Sequence, residues 1–199
     1  MIGMNGATSS NRVWLASLAL VCCGVLPAGV ADAAKDRPRF EIRSAYAELE
    51  NAVYFLHARI DYPLSKQALK ALQSGVELNF QLRIEVNRVR RYLPDANVAT
   101  LLQRYQLRFN ALVNRYVVRN LNSGGQQSFA TLDAALSFLG RVSNLPILDK
   151  ALLQPGKKYI LKLQAELDVR RLPAPIQLLA FWLDDWRLTS AWYTWPLQP

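Results

Sequence analysis

Val76-Glu-Leu-Asn-Phe-Gln-Leu-Arg-Ile-Glu-Val-Asn87 alternates apolar and polar residues without a break. Side chains along a strand point to opposite faces in turn, so this period of two predicts an extended segment. Val76, Leu78, Phe80, Leu82, Ile84 and Val86 then share one buried face. With half the residues hydrophobic, chance yields such a run only roughly once in a few thousand windows. The stripe recurs within Val53–Tyr62 at Tyr54, Leu56, Ala58, Ile60 and Tyr62. It recurs at Tyr105, Leu107, Phe109, Ala111 and Val113, and again at Tyr159, Leu161, Leu163, Ala165, Leu167 and Val169. After Val113 the phase slips to Tyr116 and Val118, which reads as a β-bulge. Phe40–Leu49 and Trp186–Trp195 read as a fifth and a sixth strand.

One-sided alternation belongs to antiparallel sheets with one solvated face. Glu50-Asn51 suits a tight hairpin, and Asn120-Leu-Asn-Ser-Gly-Gly125 is turn chemistry. Ser65 to Gly75 reads as a short helix with an N-cap serine and a terminal glycine, and Thr131 to Gly140 as another, with Leu132, Ala135, Leu136 and Leu139 on its apolar stripe. Pro173-Ala-Pro-Ile-Gln-Leu-Leu-Ala-Phe-Trp-Leu183 reads as a third helix, packed under the sheet. The expected fold is mainly β: an antiparallel β-sandwich or strongly curved sheet with two or three short helices, one domain over residues 34–199.

Before that domain, Arg12 precedes an apolar stretch, Val13 to Val30, and then Ala31-Asp32-Ala33. This is the pattern of a signal peptide cleaved after Ala33, and it predicts a periplasmic protein. The alternative is an uncleaved helix tethering the domain to the inner membrane, though Gly24, Pro27 and Gly29 weaken a span. Cys22 and Cys23 are the only cysteines, so cleavage leaves no thiol for a disulfide, a metal or a nucleophile.

The 199 residues carry a formal net charge of +9, which draws anionic partners by long-range attraction. Export makes nucleic acid an unexpected one. Arg83, Arg88, Arg90 and Arg91 lie on one strand and its exit; Arg104, Arg108, Arg115 and Arg119 lie on the next. Paired as a hairpin, these would form a basic strip for an anionic envelope surface or a membrane protein. The competing reading is that they guard a sheet edge. Ile176, Leu179, Phe181, Trp182 and Leu183 offer a second partner segment should that helix present an apolar patch.

Candidate chemistry is sparse. His57 is the only histidine and falls on the outward phase, so a usual zinc site lacks ligands, and no Gly-x-Ser-x-Gly elbow is present. Asp184-Asp185 reads as a solvated turn rather than a calcium loop. No catalytic residue, metal ligand or cofactor motif is assigned. Two alternatives stay open: a carbohydrate- or lipid-binding sandwich using the tryptophans at 182, 186, 192 and 195, and a hydrolase built on two converging carboxylates.

Asn120-Leu-Asn-Ser-Gly124, Gln127-Ser-Phe-Ala-Thr131, Tyr105-x-Leu-x-Phe109 and Trp186-Arg-Leu-Thr-Ser-Ala-Trp192 together resemble an uncharacterised family of exported proteobacterial proteins, classed as a domain of unknown function. The resemblance runs from about Arg39 to Leu197. It implies a Gram-negative envelope location and a gene that often neighbours that of a membrane sensor kinase of the nitrogen-regulation type. It carries over no catalytic residues. The expectation is a non-enzymatic binding or accessory module for a membrane protein, such as a two-component sensor kinase, or for the envelope surface.

Overall fold

The computed structural model describes residues 38–177 and 184–197; the expected signal segment lies outside them. Among the described residues, nine strands form two antiparallel sheets. β1 (Glu41–Glu50), β2 (Val53–Asp61) and β7 (Arg141–Asp149) make the smaller sheet, in the order β1-β2-β7. The larger runs β6-β5-β4-β3-β8-β9, from β3 (Leu78–Arg88), β4 (Ala96–Asn110), β5 (Arg115–Asn120), β6 (Gln126–Phe129), β8 (Tyr159–Leu167) and β9 (Tyr193–Leu197). The helices α1 (Lys66–Gln73) and α2 (Leu132–Leu139) carry the chain between the sheets. Each begins on a side chain that accepts a backbone N–H: Ser65 from Ala68 at 3.1 Å and Thr131 from Ala134 at 3.2 Å. Such caps satisfy donors that the first helical turn leaves open.

The apolar stripes meet between the sheets. Tyr54, Leu56, Ala58, Ile60 and Tyr62 face Leu78, Phe80, Leu82, Ile84, Val86 and the Tyr159–Leu167 stripe in one buried cluster. Phe40, Tyr62 and Phe80 form an aromatic trio with ring centroids 4.8 to 5.7 Å apart. Burial raises the Tyr62 phenol strongly above its usual range, helped by Tyr105. The β1–β2 hairpin turns on Asn51 and Ala52, both left-handed, at φ 48° and 66°. A two-residue turn of this hand matches the twist of the strands it joins.

Three expectations are corrected. The phase slip after Val113 is not a bulge but a chain reversal: β4 ends at Asn110, and β5 runs back beside it. Ala111 and Val113 are therefore exposed turn residues, not core. The final strand is shorter than expected, because Asp184–Trp186 is a 3-10 turn and only Thr189 makes an isolated bridge to Glu166 before β9. The outward face is also drier than one-sided alternation implies. Asn79, Gln81 and Asn87 of central β3 are buried; Gln81 lies between Arg104 of β4 and Glu166 of β8.

Candidate anion-binding face

Directly opposed residues in an antiparallel pair share a face, so the strand register places every arginine. On the face away from the core, Arg83 opposes Leu102 and Gln81 opposes Arg104. Gln106 opposes Arg119, and Arg108 opposes Val117. Arg83, Arg104, Arg119, Arg108 and Arg115 are thus successive diagonal neighbours across β3, β4 and β5. Such diagonals lie about 7–8 Å apart. Five of the eight expected arginines form one chain of positive charge.

The other three leave it. Arg88 falls at the end of β3 opposite Tyr159, on the core phase, and donates to Gln154 Oε1 at 2.6 Å. Arg90 and Arg91 are exposed in the β3–β4 loop. β3, β4 and β5 are interior strands of the six-stranded sheet, so their side chains guard no edge.

Among the described residues, no carboxylate lies within ion-pairing distance of any of the five. Arg104 Nε donates to Gln81 Oε1 at 3.3 Å, and Gln81 Nε2 donates to Glu166 at 2.7 Å, a polar relay across three strands. Arg115 Nε donates to Ser128 Oγ at 2.7 Å. Arg83 Nε is buried with no hydrogen-bond partner. Arg108 and Arg119 are exposed. Glu85 and Glu166 share this face beside Arg83, which Gln164 opposes on β8.

A cavity of about 320 Å³ opens on the other face of the same strands, lined by Tyr105, Val118, Asn120, Ser123, Gln127 and Phe138 among others. Three of the four family-like motifs converge there. Asn120 Oδ1 accepts from Gln103 Nε2 and from the backbone N–H groups of Asn122 and Ser123 at 2.9 to 3.1 Å. Asn122 in turn binds the backbone of Arg104 and Leu102. These bonds fasten the β5–β6 turn to the edge of β4. Burial raises the Tyr105 phenol, with an opposing contribution from its hydrogen bond to Gln103. The fourth motif seals the edge of β8: Ser190 Oγ accepts from Ala165 N at 3.0 Å, and Trp186 and Leu188 are buried.

The remaining sequence candidates gather into no further centre. His57 is on the outward face as expected, stacked on Tyr46 at 4.9 Å, with Nε2 3.6 Å from Glu48. No group of three or more His, Cys, Asp or Glu placed to hold a metal occurs among the described residues. A smaller cavity, of about 170 Å³, is lined by Arg59, Asp61, Gly140 and Arg141 among others. Asp61 is its single carboxylate and accepts from Arg43 Nε at 2.7 Å. Ile176 packs against the core, whereas Leu179, Phe181, Trp182 and Leu183 lie outside the described residues. No described helix is long and apolar enough to cross a membrane.

Register was the missing signal for this site: arginine spacing in the sequence does not show which guanidiniums share a face. No curated protein and no solved structure matches the chain at a significant level. One family model matches residues 37–196, nearly all of the described molecule. The chain belongs to the family described as Domain of unknown function DUF4390.

Proposed function

We propose that this chain is an exported accessory module, without enzymatic activity, that binds an acidic segment of an envelope or membrane protein through the β3–β4–β5 arginine face. The observation that carries the reading is the run Arg83–Arg104–Arg119–Arg108–Arg115 on interior strands, none of which makes an ion pair among the described residues. The N-terminal export pattern supports the compartment, and a membrane sensor kinase fits as the class of partner. Affinity of the full chain for a polyglutamate peptide, measured against salt concentration, tests it. Binding should weaken steeply with salt, and Arg108→Glu with Arg119→Glu should cost at least about tenfold, since each close charge reversed is worth on the order of 1 kcal/mol or more. Unchanged binding by the double variant refutes the assignment.

A second reading attaches to the larger cavity. Its lining is uncharged, with carboxamides from Asn120, Gln126 and Gln127 beside the rings of Tyr105 and Phe138. Amides and aromatic rings together suit a neutral hydroxylated ligand such as a sugar.

A further inference from the structure

The end of the sandwich where β3 leaves the sheet differs from the arginine face in shape and chemistry. There the loop Val89-Arg-Arg-Tyr-Leu-Pro-Asp95 joins β3 to β4. Tyr92 is 83% exposed, Leu93 63% and Val89 41%. Backbone bonds gather other segments behind this loop. Val89 N–H donates to the Lys158 carbonyl at 2.9 Å, and Arg88 holds Gln154. Lys150 N–H donates to Ala52 in the β1–β2 turn at 2.8 Å, which brings exposed Leu49 and Leu152 to the same end of the molecule.

Half of the exposed large apolar residues of the described chain therefore sit at one end: Leu49, Val89, Tyr92, Leu93 and Leu152. Behind them lie the cations Arg88, Arg90, Arg91, Lys150, Lys157 and Lys158. The carboxylates present are Glu50, Asp95 and Asp149, and two of these are engaged with backbone: Asp95 accepts from Arg90 N and Asp149 from Ala151 N. The Arg91 guanidinium lies 5.4 Å from the centre of the Tyr92 ring. Cation and aromatic ring are thus presented together.

We propose that this end docks on an anionic lipid surface, with Tyr92 and Leu93 entering the head-group layer and the surrounding arginines and lysines contacting lipid phosphates. The loop is an exposed projection rather than a groove, so it suits a deformable surface. Tyrosine, with an apolar ring and a polar tip, favours the interface between lipid and water. Each lysine or arginine near an anionic bilayer adds attraction, and several together make the contact persistent. The residues are distinct from the β3–β4–β5 face, so the module would rest on lipid by its end and keep its arginine face free for a protein.

The molecule contains its own control. Leu112, 97% exposed, and Val113 form the apolar tip of the β4–β5 turn, at the other end of 15-residue β4. The two tips cannot both enter one flat leaflet. The full chain, with Cys22→Ala and Cys23→Ala, is spin-labelled at Tyr92→Cys or at Leu112→Cys and mixed with vesicles. Local accessibility to a water-soluble nickel complex is read out, because the apolar N-terminal stretch could hold the chain on vesicles by itself. In vesicles containing phosphatidylglycerol, accessibility should fall severalfold at position 92 and stay unchanged at 112. In pure phosphatidylcholine, or with Arg90→Glu and Arg91→Glu added, position 92 should remain exposed. A label at 92 as accessible as one at 112 overturns the proposal. So does burial of position 112 instead, or equal burial of position 92 in neutral vesicles.

Discussion

Replacing Gly140 by alanine would put a methyl group 2.0 Å from the Ile60 carbonyl oxygen, where ordinary contact begins at 3.4 Å. The obstacle is backbone, so no side-chain rotation relieves it. Gly140 has φ −76°, a conformation alanine adopts freely, so space alone decides the outcome. The end of α2 must retreat from β2 by more than 1 Å, as the difference between those two distances shows. That retreat stretches the 2.9 Å bond from Ile60 N–H to the Gly140 carbonyl beyond hydrogen-bonding range. Losing the bond costs about 1 kcal/mol. Forcing extra volume into a packed site adds about 1–3 kcal/mol. We expect Gly140→Ala to destabilise the fold by roughly 2–4 kcal/mol, a large share of the total of about 5–15 for a typical protein. Urea unfolding followed by tryptophan fluorescence measures it, with buried Trp186 among the reporters. Gly75→Ala is the comparison: at φ +87° with open space around it, it should lose only the left-handed backbone preference, about 1–2 kcal/mol. A cost below about 1 kcal/mol at Gly140 would refute the close approach of α2 and β2.

Tyr62→Phe keeps the ring in the trio with Phe40 and Phe80 and removes a buried hydroxyl that has no protein partner. It should be neutral or stabilising by up to about 1 kcal/mol at neutral pH, and a clear loss in urea midpoint would contradict the packing described. Because the folded Tyr62 and Tyr105 phenols titrate above their unfolded values, their contribution is complete below the ordinary phenol range and is lost as pH rises past about 10. Alkaline unfolding should therefore begin there, and Tyr62→Phe should move it to higher pH; an unmoved transition counts against burial as its cause. Asn120→Ala removes the acceptor for Gln103, Asn122 and Ser123 and leaves buried Gln103 short of a partner. It should cost about 2–3 kcal/mol and speed amide exchange at residues 122 and 123; an unchanged exchange rate would mean the turn does not depend on Asn120.

Strands with long, regular stripes were legible in the sequence. Burial of Tyr54 to Tyr62, Leu78 to Val86 and Tyr159 to Leu167 follows their period of two, and the start of α1 follows its capping serine. β6 was not legible, because Gln126-Gln-Ser-Phe129 offers four residues and one apolar side chain. β7 was hidden by Asn144 at φ 50° and by register shifts opposite β2 that break its period. The β4–β5 reversal misled because alternation continues through Ala111 and Val113 after the strand has ended. The arginine chain needed pairing that no local pattern encodes: Arg88 follows Arg83 by five residues, yet an odd separation sends it to the opposite face.

β3 lies between β4, its immediate successor, and β8, whose first residue comes 71 positions after the last of β3. Until Tyr159–Leu167 has been made, the middle of the larger sheet has one open flank and the core lacks a wall. Distant pairing of this kind slows folding, because a long loop must close before any contact rewards it. A nascent chain cut short of β8 would stay loose and protease-sensitive, the condition in which a polypeptide can be threaded through a narrow channel before it locks.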